Sequence, residues 1–251
     1  MRLPQIAALL TSACLLAAPG FAGGLGEMTD AERAAFRAEV RSYLIENPEV
    51  MVEVMTELQA RQDKAASANE AQLLVTYKDD LFADSHSWVG GNPDGDITLV
   101  EFMDYRCGYC RKAYEEVEQL VKADGNIRLI FKEYPILGED STISSRFAIA
   151  VLQLHGGEAY KKAHDALITL RGKPDAPTLT KLAADLGFDG AEVVAKMGSD
   201  EVSAVITKNQ DLGNKMQISG TPTFVIQGSL FRGYVPLDGM QQIVADERKK
   251  G

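Results

Sequence analysis

The stretch of sequence that decides the fold, residues 99–112, reads LVEFMDYRCGYCRK. Its first residues are mostly apolar and typical of a buried strand, and a short loop then leads to Cys107 and Cys110. A spacing of three residues places both sulfur atoms on one side of the first turn of a helix, where they can form and reopen a disulfide. The pattern therefore predicts a strand, a loop and a helix that opens on a redox-active thiol pair.

The two cysteines of this motif are expected to differ in reactivity. Cys107 begins the predicted helix, where free N–H groups and the helix dipole favour a thiolate over a thiol. A thiolate is the species that attacks a disulfide, so Cys107 is the candidate nucleophile. Cys110 lies one turn further in and is more shielded, which suits a resolving cysteine.

Three other interpretations of the cysteine pair are less favoured. A zinc site needs about four ligands, but the chain adds only Cys14 and three histidines, His86, His155 and His164, at no ligand spacing. A static disulfide would close too small a loop to contribute much stability. Buried cysteines without a function are common singly, but not as a pair at a strand-to-helix junction. We therefore expect no metal site, and no cofactor, because the sulfur atoms carry the electrons.

Length and composition describe an ordinary soluble protein. The chain has 251 residues, of which 45% are hydrophobic and 25% are charged, enough for one large domain or for one domain with an appendage. Its formal net charge of −10 argues against a nucleic-acid partner, because phosphate binding requires clustered Lys and Arg.

Residues 1–22 predict a removable export signal. A basic start precedes an apolar run at residues 6–16, and Gly20-Phe21-Ala22 places small residues at the cleavage positions, so we expect cleavage near Ala22. The run is too short to span a bilayer. Lipid attachment at Cys14 is the less favoured alternative, because the apolar run continues past this residue. The exported chain would keep only the two motif cysteines, which excludes a structural disulfide framework.

Residues 23–82 carry no strand pattern and predict a helical arm. One helix is expected to begin at Thr29 or Asp30, and a second at Asn47-Pro48 with Asn47 as its N-cap. The second helix carries an apolar group that we call the arm cluster. The arm cluster consists of Val50, Met51, Val54, Met55 and Leu58.

The arm cluster precedes an almost wholly polar stretch, residues 59–72, that is too poor in apolar side chains for a core element of one compact domain. The arm is then either a mobile linker or a segment that pairs with other copies of itself. The arm cluster favours self-association, because apolar side chains are poorly placed on a solvated stalk. Packing of the arm cluster on its own domain stays an alternative.

From residue 83 onward the pattern predicts an α/β domain. The expected elements are an edge strand at Trp88-Val89, a strand over 97–103, a helix over 107–122 and a strand over 127–133. The last three form a βαβ unit with parallel strands. Residues 139–216 show helical periodicity only and predict a helical insertion. A hairpin with Gly228-Ser229 as its turn and a helix after Pro236 complete the domain.

The dipeptide Thr221-Pro222 stands directly before an apolar strand, an unusual place for a residue that cannot donate to a ladder. A cis bond, which proline alone tolerates at modest cost, would explain it. We therefore predict a cis-proline loop that faces the cysteines and leaves the backbone of Thr221 free to pair with an extended substrate. A trans turn is the ordinary alternative for an isolated Thr-Pro pair.

An acid, Glu101, stands in the middle of the apolar strand. Its side chain faces either solvent, the more common place for a carboxylate, or the interior. In the interior its pKa would be raised by desolvation, and the carboxyl could exchange protons with the deeper thiol of Cys110. Its position six residues before Cys107 favours the interior.

These features together resemble a known family. The strand with Glu101, the Cys107-Gly108-Tyr109-Cys110 motif, the helical insertion and Gly220-Thr221-Pro222-Thr223 are similar to the DsbA-type thioredoxin fold, from about residue 99 to the C-terminus. Residues 101–110 and 43–50 further resemble the suppressor-of-copper-sensitivity C-type, or ScsC-like, branch. The resemblance implies an α/β protein with a thioredoxin fold and a helical insertion, preceded by an N-terminal helical arm. Its parts would be a signal peptide (1–22), the arm (23–82) and the DsbA-type domain (83–251).

The same resemblance implies a periplasmic thiol–disulfide oxidoreductase. Cys107 would attack, Cys110 would resolve, and Glu101 would be the buried acid. The substrate-binding residues would be Thr221, Pro222, Gly108 and Tyr109. The substrates would be exported proteins with cysteines, and a membrane or periplasmic redox partner would reset the thiol pair. A homo-oligomer through the arm is expected, since some members of the family assemble through their N-terminal helices.

The direction of disulfide transfer stays open. The oxidase branch of the family carries Pro-His between the cysteines and Val before the cis-proline, whereas Gly108-Tyr109 and Thr221 are shared with isomerases. The chain is therefore expected to act as an oxidase or as a disulfide isomerase. An alternative function is copper binding or copper tolerance, with the same two thiolates as ligands of Cu(I), although no His or Met cluster stands beside the motif.

Overall fold

The computed structural model of the protein describes residues 28–250, which contain ten helices and five strands. The predicted signal segment, with Cys14 and the cleavage position near Ala22, lies outside the described residues. The helices are α1 (Asp30–Glu46), α2 (Glu49–Thr76), α3 (Lys78–Phe82), α4 (Gly108–Asp124), α5 (Glu139–His155), α6 (Gly157–Thr169), α7 (Ala176–Asp185), α8 (Gly190–Met197), α9 (Asp200–Lys215) and α10 (Leu237–Lys250). The strands are β1 (Trp88–Gly91), β2 (Ile97–Met103), β3 (Ile127–Glu133), β4 (Thr223–Ile226) and β5 (Ser229–Arg232). Within residues 28–250, no helix combines the length and the apolar character needed to cross a membrane.

The strands β2 and β3 lie side by side at the centre of a five-stranded sheet with the order β1-β3-β2-β4-β5. They are parallel and are connected by α4, so the predicted βαβ unit and the α/β class are confirmed. β1 pairs antiparallel with β3 at one edge of the sheet. On the other side β4 pairs antiparallel with both β2 and β5.

The turn between β4 and β5 lies one residue earlier than expected. Ile226 pairs with Ser229, so Gln227 and Gly228 form the turn, and the predicted Gly228-Ser229 turn is wrong. The backbone N–H of Gln227 donates to Thr98 O (2.9 Å), and Thr98 N–H donates to the Gln227 side chain (3.1 Å). These bonds to β2 hold Gln227 at φ 53°, in the left-handed region that ordinarily favours glycine.

Both faces of the two central strands are buried, which accounts for their nearly continuous apolar sequence. On one face Leu99 and Met103 join the larger hydrophobic core, together with residues of α4 and of the helical insertion. On the other face Val100 packs in a second core with Leu74 and Leu81, which come from the end of α2 and from α3.

This second core bears on the boundary between the arm and the domain. Residues 63–250 group into one compact unit and residues 28–62 into another. The sequence pattern places residues up to 82 in the arm, because the polar stretch at 59–72 obscures the few apolar positions that follow it. Leu74 and Leu81 are buried, so the end of α2 and all of α3 pack as part of the unit that contains the sheet.

The helical insertion predicted at about 139–216 is confirmed as the five helices α5 to α9. Its apolar side chains, among them Phe147 and Tyr160, belong to the larger core on the face of the sheet that carries the cysteines. On α6 the ring of His164 stacks on Phe131 of β3, with the ring centroids 4.3 Å apart. The insertion therefore covers the central strands directly beside the cysteine motif.

Residues 28–62 form α1 and the first part of α2. A capping box between Thr29 and Glu32 fixes the start of α1, as predicted for Thr29. Asn47 ends α1 instead of starting α2, because its backbone N–H and its side chain both donate to Tyr43 O. α1 buries no residue, and four of the five arm-cluster residues are exposed, with Met55 at 67%.

A lysine is buried on the second face of β3. Lys132 Nζ donates to Asp80 O (2.7 Å) and to the carboxylate of Asp84, and the lysine side chain is 0% exposed. The same carboxylate accepts the backbone N–H groups of His86 (2.8 Å) and Ser87 (2.6 Å). The ion pair therefore ties the loop after α3 to the centre of the sheet.

Removing the acid of this pair tests its contribution to stability. Asp84→Ala should lower the free energy of unfolding by roughly 3 kcal/mol, because it removes the carboxylate that pairs with the buried Lys132 and leaves only the charge of Asp80 to favour the ammonium. Replacing the lysine as well, in Asp84→Ala/Lys132→Met, should recover much of the loss. Lys181→Met, which breaks the exposed Lys181–Asp185 pair, is the control and should change stability little. Denaturant unfolding followed by circular dichroism measures all three, and a double variant less stable than Asp84→Ala contradicts the prediction.

Candidate active site

The loop between β2 and α4 is held by a buried aspartate. Asp104 O accepts from Cys107 N (3.1 Å), and one carboxylate oxygen accepts from Arg106 N (2.8 Å). The other carboxylate oxygen accepts from Ile136 N (2.9 Å) and Leu137 N (3.1 Å), so Asp104 also fixes the loop after β3. Asp104 is missing from the residues predicted above. An aspartate that follows a strand and precedes a tight turn is the signal that could have identified it.

The sulfur of Cys107, the N-cap residue of α4, is surrounded by hydrogen-bond donors. The Cys110 thiol donates to it, and the side chain of Thr221 and the backbone N–H groups of Cys110 and Tyr109 also favour its charged form. These donors stabilise the thiolate and lower the pKa of Cys107 from 9.0 to about 5, although burial opposes the shift. As a thiol, Cys107 instead donates to Thr221 O, at 3.1 Å. At neutral pH the side chain is therefore a thiolate.

Cys110 lies one turn deeper in α4 and is buried. Burial raises the pKa of its thiol far above the ordinary value, and the hydrogen bond to Cys107 and the charge of Glu101 raise it further. The two cysteines are not joined in a disulfide. The pair thus combines one thiolate with one thiol that keeps its proton.

Glu101 faces the interior of the protein. Its side chain lines a narrow internal cavity together with Cys110 and His164. Burial, aided by the negative charges of Cys107 and Glu118, raises the pKa of Glu101 to about 8. The carboxyl is therefore mostly protonated at neutral pH, and it lies beside the thiol with which it was expected to exchange protons.

The loop before β4 meets the cysteine motif. The Thr221–Pro222 peptide bond is cis, which confirms the prediction. Thr221 O lies 3.1 Å from Cys107 Sγ, and Pro222 O accepts from Gly233 N (2.9 Å), which anchors the loop to the end of the hairpin. The backbone of Thr221 is therefore next to the sulfur that carries the charge.

Gly108 and Tyr109, between the two cysteines, are on the surface. Gly108 has open space beside its α-carbon, and Tyr109 is 62% exposed. The Tyr109 ring lies 6.1 Å from the ring of Tyr234, and Lys112 Nζ lies 4.1 Å from the centre of that second ring. The structure thus brings all seven predicted site residues into one region around the motif.

The chemistry open to this region is that of sulfur. Residues 28–250 contain no group of three or more His, Cys, Asp or Glu side chains arranged to hold a metal ion. A thiolate, a second thiol one helical turn away and a buried acid are the groups needed to pass a disulfide to or from another protein.

Two known families match the chain. Residues 83–246 match the thioredoxin family, and this match covers the whole sheet and every predicted site residue. Residues 32–65, which include the arm cluster, match the family described as the copper resistance protein ScsC N-terminal domain.

Individual proteins resemble the chain over the same region. A solved thioredoxin-like oxidoreductase from Silicibacter pomeroyi is 39% identical, with a TM-score of 0.63 over 69% of this chain and 98% of that one. The thiol-disulfide exchange protein alpha-DsbA2 from Wolbachia pipientis is 28% identical, with a TM-score of 0.68 over 73% of this chain and 98% of that one. The Na(+)/H(+) antiporter NhaA of Nitrosospira multiformis is 31% identical over 156 residues, 60% of this chain, but the chain spans only 24% of the antiporter. The chain therefore belongs to the thioredoxin family, among the relatives of the DsbA- and ScsC-type thiol–disulfide exchange proteins.

Proposed function

We propose that the protein exchanges disulfides with the cysteines of exported proteins in the periplasm, as an oxidase or a disulfide isomerase. The observation that carries this proposal is the pair of opposite pKa shifts at Cys107 and Cys110. A low pKa makes the first sulfur a nucleophile and a good leaving group, while the second keeps its proton until it is needed. The predicted export signal and the absence of any other cysteine from residues 23–251 support an exported substrate class.

The reaction begins with the Cys107 thiolate. It attacks one sulfur of a substrate disulfide, a bond forms between Cys107 and that sulfur, and the other substrate sulfur leaves as a thiolate. The cis-proline loop lies beside this position, so the Thr221 backbone can pair with an extended substrate chain. The exposed side chains of Tyr109 and Leu137 offer apolar contacts that do not depend on a particular substrate sequence.

Cys110 or a substrate thiol then cleaves the mixed disulfide. In the first case Cys110 passes its proton to the Glu101 carboxylate and attacks Cys107 Sγ. The substrate sulfur leaves as a thiolate, so the enzyme pair is oxidised and the substrate is reduced. The reverse sequence donates the disulfide to a substrate dithiol. In the second case the disulfide moves within the substrate and the enzyme stays reduced, which is isomerisation.

The arm makes the protein a homo-oligomer in this proposal. Of the thirteen large hydrophobic side chains that are exposed in residues 28–250, nine lie between Phe36 and Leu58. Apolar surface is therefore concentrated on α1 and the start of α2, as expected of an interaction surface. An assembly that turns its thiol pairs inward would shield them from a membrane or periplasmic oxidant, and this favours the isomerase direction.

Copper binding is the less supported function. Cu(I) would take both sulfur atoms as ligands, but Cys110 is buried one turn inside α4, and residues 28–250 hold no group of three or more His, Cys, Asp or Glu side chains arranged to bind a metal ion. The match to a copper resistance family covers residues 32–65, which contain neither Cys nor His.

The first prediction concerns the Cys107 thiolate. In the reduced protein, thiolate ultraviolet absorbance should titrate with a pKa of about 5, and Cys107→Ala should remove this transition. Cys110→Ala should raise the pKa of Cys107, because the Cys110 thiol is the largest single source of the shift. Thr221→Val should raise it by a smaller amount. A measured pKa of Cys107 near that of a free cysteine, about 8.5, would contradict its assignment as the nucleophile.

The second prediction concerns the buried acid. The pKa of Glu101 is about 8 in the folded protein and 4.5 when exposed, so the folded state binds more protons than the unfolded chain between these values. Stability therefore falls as the pH rises through this window. Glu101→Gln should be more stable than the parent protein by roughly 2–4 kcal/mol at pH 8 and about equal to it at pH 4. Glu115→Gln, at an exposed glutamate of α4, is the control. Denaturant unfolding at the two pH values measures the difference, and an equal effect at both would contradict the assigned burial.

The third prediction concerns the arm. The full mature chain should be an oligomer by light scattering, and Val54→Glu should lower its mass to that of a monomer, because the charge would lie within the arm cluster at the proposed interface. That monomer should keep its thiol chemistry, lose disulfide isomerisation of a scrambled test protein and gain dithiol oxidation. Val75→Glu, at an exposed valine of the same helix outside the arm cluster, is the matched control. A mature chain that is already monomeric at micromolar concentration rules the interface out.

A further inference from the structure

A second buried acid lies on the same face of the sheet as Glu101. In the parallel pairing of β2 with β3, Glu101 stands opposite Phe131 and Met103 stands opposite Glu133. Because side chains alternate along a strand, Phe131 and Glu133 project to the same face. Glu133 Oε1 accepts two hydroxyl groups, from Tyr105 (2.8 Å) and Tyr160 (2.6 Å). The thiol chemistry described so far gives this carboxyl no role.

His164 is near both acids, since it lines the cavity with Glu101 and contacts the tyrosine that donates to Glu133. Its ring stacks on Phe131, and its side chain lines the same narrow cavity as Glu101 and Cys110. His164 Nδ1 lies 3.1 Å from the hydroxyl of Tyr105. The tautomer follows from the hydrogen bonds: Tyr105 donates its only hydroxyl proton to Glu133, so its oxygen accepts from Nδ1–H, and Nε2 is left as an acceptor.

These contacts form a chain of exchangeable protons that runs from His164 to Glu133, and its His164 end lines the cavity that Glu101 also lines. Starting from the cavity, it consists of His164 Nε2, His164 Nδ1–H, the Tyr105 hydroxyl and Glu133 Oε1. We propose that His164 and Tyr105 relay the proton of Glu101 to Glu133, which holds it while Cys110 resolves the mixed disulfide. The proposal deepens the disulfide-exchange function proposed above and rests on it.

The relay explains how Glu101 can accept the proton of Cys110 in the resolving step. Glu101 is mostly protonated at neutral pH, and a protonated carboxyl cannot accept the proton of Cys110. Glu101 must therefore release its own proton first. The pKa of Glu133 is raised to about 7, mainly by burial, so its carboxylate is available at neutral pH and its affinity for a proton is close to that of Glu101. The free energy of moving the proton from Glu101 to Glu133 is therefore close to zero.

The protons and electrons of the step balance. The Glu101 O–H proton passes to His164 Nε2, the Nδ1 proton passes to the Tyr105 oxygen, and the Tyr105 proton passes to Glu133. Cys110 then gives its proton to the freed Glu101 carboxylate and attacks Cys107 Sγ. The new bond joins the two cysteines, and the substrate sulfur leaves as a thiolate with the electron pair of the broken S–S bond.

The surroundings keep His164 neutral before and after the transfer. Burial, aided by the charge of Lys161, lowers the pKa of His164 to about 3, so the ring passes a proton through and does not retain one. Burial also raises the pKa of Tyr105 well above 10, so its hydroxyl gives up one proton only as it gains another. The other titratable groups that face this network are Asp104, Tyr114, Glu118, Tyr160 and Asp165.

The two tyrosines on Glu133 provide a matched pair of variants. Tyr105→Phe breaks the chain between His164 and Glu133, whereas Tyr160→Phe removes the other hydroxyl from the same carboxylate oxygen and leaves the chain intact. Glu133→Gln keeps a hydrogen-bond acceptor at Oε1 but cannot hold the proton. The three replacements preserve the volume of the buried side chains.

Stopped-flow reaction of the reduced full-length protein with the chromogenic disulfide 5,5′-dithiobis(2-nitrobenzoate) separates the two cysteines. The first release of coloured thiolate reports attack by Cys107, and the second reports resolution by Cys110. Tyr105→Phe and Glu133→Gln should slow the second phase by about tenfold at neutral pH and leave the first unchanged, since positioned proton transfer is worth at least this much. In the parent protein the second phase should accelerate as the pH rises through about 7, and in Glu133→Gln this acceleration should move up to about pH 8, where Glu101 itself ionises.

The outcomes separate the relay from the function on which it rests. A second phase of parental rate in both Tyr105→Phe and Glu133→Gln overturns the relay. Equal slowing in Tyr105→Phe and Tyr160→Phe also overturns it, because the effect would then come from the lost hydrogen bond to Glu133. If Tyr114→Phe is the only variant that slows the second phase, the proton of Glu101 leaves by a route through Tyr114, and the relay through Tyr105 is overturned. A parent protein that shows no rapid first phase contradicts the proposed function itself.

Discussion

The antiparallel pairing of β2 with β4 is the interaction on which the site depends. It sets Phe102 opposite Thr223, so the end of β2, which leads to Cys107, meets the start of β4. Cys107 and Thr221 are 114 residues apart in the chain, and no local turn could bring their atoms within 3.1 Å. The contact is therefore a product of sheet register. A slip of one residue in β4 would turn its side chains to the opposite faces and move the cis-proline loop away from the sulfur.

The degree of burial sets the pKa values of the three ionisable groups around the motif, Cys107, Cys110 and Glu101. Loss of water raises the pKa of Cys110 and of Glu101, and it opposes ionisation of Cys107 as well. Only at Cys107 do enough donors converge to overcome this effect, because only this residue stands at the open end of α4. The difference between the two thiols thus comes from position along one helical turn.

Much of the fold and of the site could be predicted because it rests on neighbours in sequence: the cysteine spacing, the βαβ unit and the cis bond. Periodicity alone could not tell to which side Glu101 points, since a strand that is buried on both faces has no alternation to mark the interior; its position six residues before Cys107 is what favours the inward orientation. The packing of Leu74 was obscured by the polar stretch before it. The contacts of Tyr105 with Glu133 and His164 join residues 28 and 59 positions apart. Periodicity within a helix or strand carries no information over such distances.

The two outermost strands of the sheet are only four residues long. β1 ends at Gly91, whose φ of 67° takes the chain out of the strand, and β5 ends at Arg232, just before Gly233 with a φ of 88°. Long, flat outer strands act as templates on which other chains add further strands and aggregate. A protein that meets unfolded chains, as proposed here, is exposed to this hazard more than most. Its short outer strands let it hold a client at the loop of Thr221 without offering the rest of the sheet as a seed for aggregation.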